Sequence, residues 1–207
     1  YEKARPVMAE RSAAMHMADI AERRKSRLYI VHISSGSTLD MIKLKHPAQI
    51  GKSIFLESCP HYFYLSDVKL SNIDGNLYLL TPPLRGGKEL MRLRSSIGLI
   101  DTISTDHCPF MSEEKMKYDM AYQVPMGIGG VEHSFPLMFN LFGDAIIPKF
   151  TSKPAEIFGL KNKGEIKVGK DADLVIFDSS LSNTIKESHS KADYTVYEGL
   201  KIRGKIS

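Results

Sequence analysis

The sequence predicts an α/β fold: a run of strands and helices built as a parallel sheet or barrel, followed by an antiparallel tail. Three observations predict it. Short apolar, β-branched runs alternate with stretches of helical spacing. Polar and titratable residues fall just after those runs, where parallel α/β folds place active sites. From Gly164 onward the pattern switches to polar–apolar alternation. The 207 residues suffice for one sizeable domain, or one domain and a piece of another. A content of 43% hydrophobic and 25% charged residues is that of a globular chain. The net charge of +4 comes from interspersed signs and gives no nucleic-acid footprint. No apolar run is long enough for a bilayer, and no secretory leader opens the chain. Two cysteines, Cys59 and Cys108, make no disulfide framework, so a cytoplasmic setting is expected. Both ends read as cut, since the chain opens at Tyr1 and stops in a strand-like segment.

Residues 4–26 carry Met8, Ala9, Ala13, Met17, Ile20 and Ala21 at helical spacing and end in Arg23-Arg24-Lys25, a charge that suits a helix C-terminus. Leu28-Tyr29-Ile30-Val31 reads as a buried strand ending at His32. Ser37 is the expected N-cap of a helix through Leu39, Met41, Ile42 and Leu44. Ser53–Glu57 reads as the next strand, running into Cys59-Pro60-His61-Tyr62. Leu77–Leu80 is read as extended and stopped by Thr81-Pro82-Pro83, Lys88–Ile97 as helical, and Thr102–Thr105 as a strand ending in Asp106-His107-Cys108-Pro109. Gly127-Ile128-Gly129-Gly130 is a loop before a helix over 131–142, with Glu132 as its cap. A short helix over 154–158 stops at Gly159. Ala172–Asp178, Tyr194–Tyr197 and Leu200–Ile206 read as strands. The boundary lies near 161–165, giving units 1–163 and 164–207.

His32, His61 and Asp106 each follow a predicted strand. Imidazole and carboxylate are the usual ligands of a hydrolytic divalent metal, and strand ends of a barrel converge on one rim. A lone histidine after a strand is more often structural, and spacing alone does not choose between the readings. Two methionine clusters, Met8, Met15 and Met17, then Met111, Met116 and Met120, are expected to fill core gaps.

The segments themselves resemble a known family. Tyr29-Ile30-Val31-His32-Ile33-Ser34-Ser35, Glu57-Ser58-Cys59-Pro60-His61-Tyr62, Thr81-Pro82-Pro83-Leu84-Arg85, Ser104-Thr105-Asp106-His107-Cys108-Pro109-Phe110, Pro125-Met126-Gly127-Ile128-Gly129-Gly130-Val131-Glu132, Pro154–Leu160 and Gly164–Asp178 stand in order along nearly the whole chain. They resemble the C-terminal part of the dihydropyrimidinase/D-hydantoinase family of the amidohydrolase superfamily. The resemblance implies the C-terminal portion of a TIM-like (β/α)8 barrel followed by part of a small β-sandwich. It implies hydrolysis of the cyclic C–N bond of a dihydropyrimidine or hydantoin at two divalent metals, usually zinc, bridged by a hydroxide and a carbamylated lysine. His32 matches the family's last histidine ligand, and Asp106 matches the aspartate that ligates one metal and shuttles a proton. Thr81, Met126 and Gly127 stand where the family holds the cyclic imide through backbone groups, with Met126 in place of an asparagine. The implied mechanism is attack of metal-bound hydroxide on the ring carbonyl, with Asp106 moving its proton to the leaving nitrogen. The early His-x-His pair, the bridging lysine and another histidine belong to segments expected before Tyr1. The chain by itself thus holds at most two ligands.

His61 is read as supporting the site rather than ligating, His107 as orienting by hydrogen bonds, both cysteines as buried and inert, and Arg85 as a structural ion pair. The implied partner is a small cyclic amide within a homo-oligomer, usually a tetramer, with no nucleic acid or membrane. Two other readings stand beside this one. An allantoinase or dihydroorotase is disfavoured by the Cys-Pro-Phe after His107. A non-catalytic scaffold relative is disfavoured by retained His32 and Asp106.

Overall fold

The computed structural model describes residues 1–206; Ser207, the last residue of the expected tail, lies outside the described residues. After a 3-10 turn over Glu2–Ala4, α1 spans Val7–Arg24. It stops at Lys25, which takes the left-handed conformation (φ 53°) and donates its N–H to the carbonyls of Ala21 and Glu22. β1 (Leu28–Ile30), β2 (Ile54–Ser58) and β3 (Thr102–Ile103) form one parallel sheet in the order β1-β2-β3. Leu28 stands opposite Ile54, and Glu57 opposite Thr102. Parallel strands need crossovers. Here α2 (Gly36–Lys45) makes the first, and α3 (Pro60–Tyr64) with α4 (Gly87–Ser95) the second. β2 is buried along its whole length because both neighbours pair with it and the helices cover it. Four short helices follow: α5 (Ser112–Met116), α6 (Ser134–Phe142), α7 (Ile147–Phe150) and α8 (Ser152–Phe158), the last ended by left-handed Gly159. No described helix is long and apolar enough to cross a membrane.

The tail forms an antiparallel pair, β4 (Phe177–Thr184) and β5 (Lys201–Ile206), with Phe177 opposite Ile206. It docks through aromatic contacts: the Phe177 ring lies 4.9 Å from Phe135 and 4.7 Å from Phe139 of α6, both edge-on. Gly204 is required there, because a Cβ on it would sit 1.8 Å from the Phe177 ring. Ile185, Tyr197 and Ile202 of the tail join one core with Ile33, Leu39, Ile54 and Leu56.

The expected parallel order holds, and several local expectations do not. The cap of α2 is Ser35, not Ser37, whose N–H instead donates to Glu89 from inside the helix. Leu77 lies in a 3-10 turn (Gly75–Tyr78) rather than an extended run. α6 begins at Ser134, so Glu132 is no cap; its carboxylate accepts from the His189 backbone N–H and pairs with the His189 ring. The run 172–176 is not strand: the ladder starts at Phe177, and Leu174, Val175 and Ile176 are exposed with no described strand beside them. Tyr194–Tyr197 is not strand: an irregular stretch leads into a turn over 196–199, although Val196 and Tyr197 are buried. Of the methionines expected in core gaps, Met8, Met17, Met111, Met116 and Met120 are exposed, because they stand on the outer faces of their helices and turns.

Leu56, fully buried at the centre of β2, tests this core. Leu56→Ala is expected to cost about 2–5 kcal/mol in urea unfolding, from lost transfer energy and the cavity left behind.

Candidate active site

Three strands running the same way put three turns on one edge of the sheet. His32 lies two residues beyond β1, Asp106 three beyond β3, and Cys59-Pro60-His61 directly beyond β2 between them. The ends of β1 and β3 are two strand spacings apart, about 10 Å, a span that two side chains can close. Backbone geometry singles out the same pair. Among the described residues, three non-glycines have positive φ: Lys25, which ends α1, His32 (φ 40°) and Asp106 (φ 45°). Such conformations cost roughly 1–3 kcal/mol each and gather at functional sites. His and Asp tolerate them better than most residues.

Two carboxylates hold the turn at His32. Glu57 on β2 accepts the His32 backbone N–H (3.2 Å) and the Tyr29 hydroxyl (2.6 Å), and that hydroxyl accepts from Thr102 (2.6 Å). One side chain thereby ties β1, β2 and β3 together at their carboxyl ends. Burial and the Glu57 charge push the Tyr29 hydroxyl well above its ordinary pKa, so it stays a donor. From α1, Glu10 accepts the Ser34 N–H (3.2 Å), the Ser34 hydroxyl, the Ser35 hydroxyl (2.8 Å) and the Thr38 hydroxyl (2.9 Å). Its other partner is Arg85, buried, 3.5 Å away. Arg85 also donates to the Ser34 hydroxyl (2.8 Å) and to the Arg5 carbonyl (2.5 Å), which makes it the structural ion pair expected of it. Neither glutamate was singled out in the sequence. The signals were present: Glu10 shares a helix face with buried Ala14 and Ala18, and Glu57 interrupts the apolar run Ile54-Phe55-Leu56.

His61 is completely buried, with no hydrogen-bond partner on either ring nitrogen among the described residues. Burial first, and nearby His32 second, lower its pKa to about 3, so the ring is neutral. Its edge-on contact with Tyr62 is 4.1 Å between centroids. His107 orients the next loop, its Nδ1 accepting the N–H groups of Gly130 (3.1 Å) and Val131 (3.3 Å). Cys59 is buried, and burial pushes its thiol pKa up, so it is inert as expected. Cys108 is exposed, contrary to expectation, because it stands on the open side of the turn after Asp106.

Thr81 and His32 line one cleft of about 620 Å³ between α1 and β1, with Arg5, Glu10 and Pro82. The Thr81 hydroxyl donates to the Tyr1 hydroxyl (2.7 Å), which donates on to the Leu80 carbonyl (2.9 Å). Arg5 also donates to Thr81 (3.2 Å). Gly127, Met126 and Asp106 do not line this cleft; the Gly127 N–H donates to the Leu79 carbonyl (3.1 Å). A Cβ there would meet the Cys108 carbonyl at 2.5 Å, so only glycine fits (φ 154°). The next residue, Ile128, accepts the Cys108 N–H (2.9 Å) and bridges to His107, fastening this loop to the turn that carries Asp106. The 77–80 segment thus links Thr81 of the cleft to the Gly127 loop.

His32 and Asp106 are the donor types a hydrolytic divalent metal takes. Among the described residues, no three His, Cys, Asp or Glu lie close enough to hold an ion. A catalytic zinc uses three protein ligands and an open position, so this chain fits as part of a donor set.

The chain matches the Amidohydrolase family over residues 3–205. It is 33% identical over 217 residues to a D-phenylhydantoinase of Escherichia coli O1:K1, covering 98% of this chain and 47% of that protein. It superposes on the D-hydantoinase (dihydropyrimidinase) from Thermus sp. with TM-score 0.91 and 31% identity, covering 100% of this chain and 48% of that one. It also superposes on the L-hydantoinase (dihydropyrimidinase) from Arthrobacter aurescens with TM-score 0.87 and 26% identity, covering 99% and 48%. The chain spans about half the length of the curated relatives it matches. Its parallel sheet is a segment of their TIM-like barrel.

Removing the Glu10 carboxylate leaves Arg85 and the hydroxyls of the 34–38 turn without their acceptor. Glu10→Ala is expected to cost roughly 3 kcal/mol in equilibrium unfolding, and Glu10→Gln less, because one side-chain oxygen survives.

Proposed function

Because this chain belongs to the amidohydrolase family, we propose that it carries one part of an active site that hydrolyses the C–N bond of a cyclic amide, a dihydropyrimidine or a hydantoin. The observation that carries this reading is the pair of positive-φ residues, His32 and Asp106, on one edge of a parallel sheet. The names of the relatives, D-phenylhydantoinase and hydantoinase (dihydropyrimidinase), support the ring chemistry.

His32 and Asp106 would hold divalent metal, zinc foremost, together with donors and a bridging carbamylated lysine from the half of the barrel outside this chain. When bound, the metal supplies a water acidic enough to ionise near neutral pH and a Lewis acid for the ring carbonyl. Asp106, exposed at the mouth, takes the proton of the attacking water and hands it to the leaving ring nitrogen. His32 offers a ring nitrogen, its backbone fixed by Glu57. Thr81 and Met126 present backbone groups to the imide, which needs a donor and an acceptor held flat. At Gly127 the N–H is already committed, so its share is the carbonyl's remaining lone pair.

Turnover of a ring panel by the full-length protein tests this. Hydrolysis of dihydrouracil or hydantoin is expected, with about two divalent ions per chain. Turnover confined to allantoin or dihydroorotate would overturn the ring assignment. Fewer than about one ion per chain in active preparations would overturn the dinuclear centre. Asp106→Asn is expected to lower kcat by about 10²–10⁴-fold, the usual contribution of a positioned proton-transfer group.

A further inference from the structure

Lys115 of α5 is completely buried, and no carboxylate pairs with it among the described residues. Its ammonium donates to three backbone carbonyls instead: Leu77 (3.1 Å), Leu79 (2.8 Å) and Gly127 (2.7 Å). An ammonium has three N–H donors, and each is used. Burial lowers its pKa to about 8, so the charged, three-donor form prevails at neutral pH. Burying a charge against dipoles alone is costly, and an apolar side chain fills such space as well or better. The placement of these carbonyls explains the lysine. Leu77 and Leu79 lead directly into Thr81, and Gly127 follows Met126. The Leu79 carbonyl is shared, accepting both the Lys115 ammonium and the Gly127 N–H. The lysine is itself anchored: the Asn76 amide donates to the carbonyls of Lys115 (3.3 Å) and Tyr118 (2.8 Å). At the other end of α5, Asp193 accepts the Ser112 N–H (2.8 Å) and its hydroxyl (2.5 Å).

We propose that Lys115 is a positioning residue for ring binding: its ammonium staples the segment before Thr81 to the Met126–Gly127 loop and sets the distance between the two walls that grip the cyclic imide. The staple rests on these hydrogen bonds, and its role in binding rests on the function proposed above. Backbone groups that hold a flat ring need a fixed separation, and neither segment is part of a sheet that would supply one. The ammonium supplies it from behind, without touching the substrate.

The test uses the full-length protein and Lys115→Met, which keeps length and removes the donors. KM for the ring that wild type hydrolyses is expected to rise about tenfold while kcat stays within about threefold, the signature of lost substrate grip. Hydrogen exchange of peptides covering 77–80 and 124–128 is expected to quicken by a similar factor, with 32–45 unchanged. An unchanged KM with unchanged exchange overturns the proposal. So does loosening spread evenly over the chain, which would make Lys115 a residue of the fold alone. If Lys115→Met does not accumulate folded, Asn76→Ala decides: a KM rise of about threefold supports the staple, and an unchanged KM overturns it. A wild type that opens none of the rings refutes the proposed function, while the exchange measurement still decides the staple.

Discussion

Parallel pairing of β1, β2 and β3 is the constraint from which the site follows. Strands that run the same way oblige the chain to return outside the sheet, so every strand leaves its following turn on the same edge. His32, His61 and Asp106 share that edge although 74 residues separate the first from the last. The register is held by Glu57, because a slip of one residue along fully buried β2 would turn its carboxylate away from the Tyr29 hydroxyl. The edge is therefore as rigid as the core beneath it.

That rigidity is needed because the turns are not relaxed. His32 and Asp106 sit in a backbone region their neighbours must impose. At His32, Glu57 does this from within the sheet and Glu10 from the helix packed beside it, each accepting more than one donor, while the turn of Asp106 is fastened by the Cys108 N–H to the Ile128 carbonyl. Arg85 offsets the charge that Glu10 brings into a nearly dry interior. Lys115 applies the same logic on the other wall, with carbonyls in place of hydroxyls. Glu57, Arg85 and Lys115 are buried behind the turns of the edge, whereas buried Asp101, which accepts the Leu56 N–H (2.8 Å), stands at the other end of the sheet, just before β3.

Much of this was legible in the sequence, for physical reasons. Apolar, β-branched runs bounded by polar turns marked the three strands; the reason is plainest at β2, which is covered on both faces and apolar from Ile54 to Leu56, whereas β1, expected buried, is half-buried. His32 and Asp106 stood out because a titratable residue straight after such a run lands on the edge. Less legible was anything set by partners distant in sequence. Nothing in the sequence around Glu10 or Lys115 marks their partners, and only the fold brings Ser34 or Gly127 to them. Residues 172–176 misled for the converse reason: Leu174-Val175-Ile176 has strand composition, but a strand needs a neighbour, and β5 pairs only from Phe177 onward. Ser35, the observed cap of α2, and Ser37, the expected one, flank Gly36 and look alike in sequence. The Glu10 and Glu89 carboxylates, remote in the chain, sort them.

The central claim is that His32 and Asp106 face a common metal centre across the end of β2. The most direct measurement is anomalous X-ray diffraction at the metal edge from crystals of the full-length protein. Metal density is expected with a ring nitrogen of His32 and a carboxylate oxygen of Asp106 both coordinated at about 2.0–2.2 Å. Metal held entirely by other donors, with either side chain turned away from it, would contradict a shared centre.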